Sequence, residues 1–125
     1  MNRLLFLSIC LLSVAGCDRT LNFKYIVVNN TDFSIDVAVQ VSTTDTVFTI
    51  NPADSALIYT DQRIGKEVMD YTGTEMYIFS KLEMYKTAND SIKINKDIYK
   101  RQYWTFEADE TEGRYRLAVT NADFM

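Results

Sequence analysis

Phe33-Ser34-Ile35-Asp36-Val37-Ala38-Val39-Gln40-Val41 alternates apolar with polar or small residues from end to end. Successive side chains of an extended strand point to opposite faces, so this run satisfies its apolar set only as a strand with one face on a core and one in water. The same two-residue period returns along the chain, always between short clusters of Asn, Asp, Ser, Thr, Gly or Pro. Phe23–Val28 is β-branched and aromatic and reads as a strand with both faces largely covered. Asn29-Asn30-Thr31-Asp32 has turn chemistry and joins it to Phe33–Val41, which predicts a hairpin. Thr46–Ile50 and Ala56–Thr60 follow, separated by a turn that carries the only proline, Pro52.

Residues 61–74 have no clear period and read as a loop bracketed by Gly65 and Gly73. Glu75–Lys86 alternates again, with Met76, Ile78, Leu82 and Met84 on one face and Tyr77, Phe79, Lys81, Glu83 and Tyr85 on the other. That is long for one strand, which predicts a bulge or bend near Ser80. Ser91–Asn95, Gln102–Ala108 with Trp104 and Phe106 on one face, and Arg114–Thr120 with Tyr115, Leu117 and Val119 in phase complete the set. Seven or eight short strands with no candidate crossover helix predict an all-β, antiparallel β-sandwich, immunoglobulin-like first and transthyretin-like second. The Cys...Trp...Cys core of antibody domains is absent.

The N-terminus obeys a different logic. Met1-Asn2-Arg3 is a short basic start, Leu4–Leu12 an apolar run, and Ser13–Gly16 a stretch of small residues ending at Cys17. The run is too short to cross a hydrocarbon core that needs about 20 apolar residues, and it has the parts of a signal peptide. Val14-Ala15-Gly16-Cys17 resembles the lipobox of bacterial lipoproteins. The resemblance implies cleavage after Gly16, diacylglycerol on the Cys17 sulfur and acylation of the new N-terminus. Two or three chains, at roughly 0.8 kcal/mol for each buried CH₂, anchor a protein where one chain binds only reversibly. The expected organisation is a signal peptide over 1–16, a lipidated tether over 17–22 and a β-sandwich domain over 23–125.

Together with the Tyr-Ile-Val-Val-Asn-Asn-Thr segment, the Trp-x-Phe strand and the final Tyr-x-Leu-x-Val-Thr strand, this layout is similar to small single-domain lipoproteins common in Bacteroides-like bacteria. The likeness implies a fold and a cell-envelope location and brings no catalytic residues. Asp18 after the cysteine resembles an inner-membrane retention signal, and no acidic pair marks surface export, so a periplasm-facing position is expected.

Composition narrows the function. The chain has no histidine, and therefore lacks the commonest general base, metal ligand and pH switch. Cys10 leaves with the signal and Cys17 is lipidated, so no disulfide supports the mature fold. The net charge of −4 becomes one unit more negative once Arg3 is removed, which opposes nucleic acid as a partner. No cofactor or metal is expected: the Asp109, Glu110 and Glu112 carboxylates share one hairpin tip rather than facing across a cleft, no calcium-loop run is present, and no Ser-x-x-Lys pair supplies a nucleophile.

Two surface features stand out. Tyr77, Phe79 and Tyr85, flanked by Lys81 and Glu83, form a candidate binding surface for sugar rings or a protein, or else close the core. Asp45-Thr46-Val47, Asp54-Ser55-Ala56 and Asp90-Ser91-Ile92 resemble the Asp-Ser/Thr-apolar O-glycosylation triplets of Bacteroides-like secreted proteins, which makes Thr46, Ser55 and Ser91 candidate acceptors. Asp and Ser also favour turns for their own backbone chemistry. The functional expectation is a non-enzymatic, membrane-anchored domain that binds an envelope protein or glycan. The alternative is an inhibitor or immunity-type lipoprotein that blocks a basic hydrolase or toxin through its acidic loop.

Overall fold

A computed structural model describes residues 19–70 and 72–125. The expected signal peptide over 1–16 and Cys17 lie outside them. The described residues form eight strands: β1 (Arg19–Asn30), β2 (Ile35–Val41), β3 (Thr44–Ile50), β4 (Ser55–Gly65), β5 (Lys81–Lys86), β6 (Asn89–Lys93), β7 (Trp104–Ala108) and β8 (Glu112–Thr120). Short 3-10 turns sit at Arg101–Tyr103 and Asn121–Phe124. One four-stranded sheet has the order β4-β1-β8-β7 and the other β3-β2-β5-β6. Their inner faces share one core, in which Leu21, Phe23, Tyr25, Val27, Leu117 and Val119 of the first sheet meet Ile35, Val37, Val39, Leu82 and Met84 of the second. The predicted all-β sandwich is thus the architecture found.

The strand order corrects three expectations. β1 and β2 do not form a hairpin; β1 pairs with β4 and β8, and β2 with β3 and β5. The Asn-rich link is a corner between sheets, and the cause is Asn29, whose side chain is fully buried. Its Nδ2 donates to Phe33 O and Ile50 O, both at 2.9 Å, and its Oδ1 accepts from Thr31 N at 3.0 Å and Thr31 Oγ1 at 2.6 Å. A tight hairpin leaves no such cage. Secondly, β1 and β8 run parallel, so the sandwich is not purely antiparallel. The rest of the domain connects them, so no crossover helix is needed. Thirdly, β1 and β2 lie in different sheets, whereas in the ABED/CFG grouping of an immunoglobulin constant domain the first two strands are neighbours.

The expected long strand over Glu75–Lys86 is also replaced. Only Lys81–Lys86 is regular; Glu75 makes an isolated bridge with Lys100, and the chain turns at Tyr77-Ile78. Met76 N–H donates to Tyr99 O at 2.6 Å and Ser80 N–H to Gln40 O at 2.8 Å, so the backbone is satisfied by crossing between partners rather than along one ladder. Met76 and Phe79 both turn inward, three residues apart, and the predicted face assignment fails before Ser80. The first strand also begins before residue 23, inside the 17–22 stretch expected to be a tether. Arg19 to Asn22 already pair with Gly65 to Gln62, because Leu21 buries its side chain completely in phase with Phe23 and Tyr25.

Candidate functional site

A row of rings runs through the core. Tyr25 stacks on Tyr115 with centroids 4.9 Å apart and meets Phe79 edge-on at 5.3 Å, and Phe79 lies parallel to Trp104 at 6.1 Å. Trp104 is buried and donates its indole N–H to Ile98 O at 2.8 Å. The three residues of the predicted aromatic surface are therefore dispersed. Phe79 belongs to this row, Tyr77 projects from the turn at 77% exposure, and Tyr85 lies half-buried on the outer face of the second sheet opposite Asp36. They do not form one platform.

Asp70 is the most heavily bonded carboxylate. Its Oδ1 accepts from Thr72 N, Thr72 Oγ1 and Tyr115 OH, and its Oδ2 from Arg101 Nε at 2.8 Å and Nη2 at 2.6 Å. Burial raises the carboxyl, but the hydrogen bonds from Thr72, Arg101 and Tyr115 outweigh it and bring the group down to about 2. A general acid or base works best with a value near the operating pH, so this carboxylate is held in a form suited to fastening. It ties the irregular segment around Asp70 to the 3-10 turn before β7, through Arg101, and to β8, through Tyr115.

The acidic hairpin tip is also internally committed. Asp109 Oδ1 accepts the backbone N–H groups of Thr111 and Glu112, and Arg114 pairs with Asp109 and Glu112 while Lys24 reaches Glu112 at 2.7 Å. These contacts lower both carboxyls: the Thr111 and Glu112 N–H groups act first at Asp109, and Lys24 then Arg114 at Glu112. Among the described residues no group of three Asp, Glu, Cys or His comes together as a metal site.

The most cleft-like feature lies where the sandwich opens between its β3 and β4 edges. The first half of β3 is exposed on both faces, and Thr46, opposite buried Val39, points into the gap from one side. On the other side the β1–β4 register slips between Tyr25 and Ile26. This bulge adds Ile58 to the strand, and both Ile58 and Tyr59 line the gap. With Val39, Val41, Ser42 and Thr44 they enclose a cleft of about 300 Å³. Apolar walls with several hydroxyls suit a small hydrogen-bonding group presented on a partner, and the volume is at the lower end of ligand pockets. Sequence reasoning missed this place. A bulge in β4 has no residue signature here, since neither Gly nor Pro marks it.

The candidate glycosylation residues Thr46, Ser55 and Ser91 are all exposed and fall on edge strands β3, β4 and β6. Asp54 Oδ1 accepts the Ser55 N–H at 2.9 Å and Asn89 Oδ1 the Ser91 N–H at 3.1 Å, which is local turn chemistry. Cys17 lies outside the described residues. Comparison with protein families, with curated proteins and with solved structures returns no match. Fold and local geometry define an eight-stranded β-sandwich with one open side.

Proposed function

We propose that the chain is a lipoprotein anchored through Cys17 whose β-sandwich binds a protein or glycan partner in the cell envelope, facing the periplasm, without catalysing a reaction. The open β3–β4 side carries this reading. It joins an apolar, hydroxyl-rimmed cleft to two edge strands, β3 and β4, whose outer faces carry Val47 and Leu57, each about half exposed. An edge with free backbone groups beside an apolar recess is a surface to which another chain can add. For the inhibitor alternative, the acidic loop offers less free charge than its composition suggests, because Asp109 and Glu112 already share Arg114 and Lys24. O-glycans on Ser55 and Ser91 would shield edges, whereas one on Thr46 would fill the cleft, so modification of Thr46 and occupation of the cleft exclude each other.

The test is site-specific photocrosslinking in intact envelopes of the source cells. A photoreactive residue replacing Thr46 should yield one dominant adduct that the same residue at Ala122, on the far end of the domain, does not. Equal or absent crosslinking at the two positions would count against the β3–β4 side, and reproducible turnover of an envelope glycan or peptide by the purified chain would count against a non-enzymatic role.

A further inference from the structure

Given the Cys17 anchor proposed above, on which this inference rests, β1 leaves little room between lipid and domain. Only Asp18 separates Cys17 from Arg19, the first residue of β1, and the two steps from Cys17 to Arg19 span at most about 7 Å. One leaflet's interfacial layer is itself roughly 5–8 Å thick, taken as half the difference between hydrocarbon and full bilayer thickness. The domain end beside Arg19 cannot stand clear of the headgroups.

Strand pairing identifies that end. Arg19 lies opposite Gly65 and Thr20 opposite Ile64, and Asn22 N–H donates to Thr111 O at 2.9 Å, which brings the β7–β8 hairpin alongside. Two of the protein's exposed large apolar side chains are here: Ile64 at 78% and Met69 at 50%. Single exposed apolar residues need no explanation on a surface. These two flank the short loop that follows the strand paired with the anchored one. Between them lies a hollow of about 590 Å³ lined by Arg19, Lys66, Glu67, Val68, Ala108, Asp109 and Glu110. Its mixed charge matches the paired positive and negative groups of zwitterionic headgroups, whereas the carboxylates oppose a strongly anionic surface.

We infer that this end of the sandwich rests on a zwitterionic bilayer surface, with Ile64 and Met69 in the headgroup layer and the β3–β4 cleft directed sideways along the membrane. The contact fixes the tilt of the domain, which a tether alone would leave free.

The test uses the full processed chain, reconstituted in vesicles of phosphatidylcholine and phosphatidylethanolamine that carry a nitroxide on the acyl chain. A fluorophore is placed on a cysteine introduced as Ile64→Cys, Met69→Cys or, as a control at the opposite end, Ala122→Cys; acylation removes the Cys17 thiol from labelling. Mass spectrometry of the N-terminal peptide accompanies each sample. Fluorophores at 64 and 69 should be quenched roughly threefold more strongly than at 122, as expected for side chains buried several ångströms into the interface. An acylated chain with equal quenching at all three positions overturns the contact and leaves the anchor standing. An unacylated chain overturns both.

Discussion

Asn29 links the two sheets at their corner, because its amide reaches the carbonyl of Phe33 and that of Ile50 at the end of β3. Asn29→Ala leaves both carbonyls and the Thr31 N–H without that partner inside the core. Each unsatisfied buried group costs on the order of 1–3 kcal/mol, so the variant should lose about 2–3 kcal/mol in urea unfolding. A loss under about 0.5 kcal/mol would show that water or rearrangement replaces the amide. In sequence, Asn29 looked like turn chemistry, since a buried asparagine and a solvated one have the same neighbours until the tertiary partners are known. Trp104 was legible by contrast. Its alternation with Tyr103 and Thr105 placed it inward, and it is buried with its N–H satisfied.

The strands themselves were readable from period and turn spacing, and all eight exist near their expected positions. Their partners were not, because period reports which face is apolar and says nothing about which neighbour supplies hydrogen bonds. The same limit explains residues 75–80. Met76 and Phe79 are both apolar enough for the core, but a turn between them changes a two-residue step into three.

The irregular segment that contains them is fastened at Asp70, and its acid response follows from that fastening. The folded carboxyl sits at about 2, below its ordinary 3.8, so the ionised form favours the folded state. This contribution is fully present above about pH 4 and is lost as pH falls through about 2. Asp70→Asn should lower stability at neutral pH and flatten the stability curve between these limits, as measured by urea unfolding at successive pH values. Parallel curves for the two proteins would mean that the Arg101 and Tyr115 contacts do not hold the segment in solution.

On the scale of the whole molecule, the anchor, the short link and the open side form one arrangement. β1 is central in its sheet, paired on both sides along most of its length, and it begins two residues after Cys17. Under the proposed anchoring, a strand so placed would couple the orientation of the domain to the membrane and leave the β3–β4 cleft on a flank. The lipobox resemblance of Val14-Ala15-Gly16-Cys17 is a reading of local sequence alone, and its residues lie outside those described. The cleft was not legible in the sequence, because it lies beside a register slip in β4 and the exposed first half of β3, both consequences of the assembled sheets.

The central claim of the proposed function rests on one sulfur atom, that of Cys17. The direct measurement is mass spectrometry of the N-terminal peptide of the mature protein, taken from cells grown with a labelled fatty acid. The account predicts a chain that begins at Cys17 and carries labelled acyl groups, with Cys17→Ser blocking the label and leaving the domain folded, since Cys17 precedes the first buried residue, Leu21. An unlabelled mature chain that begins elsewhere would contradict it.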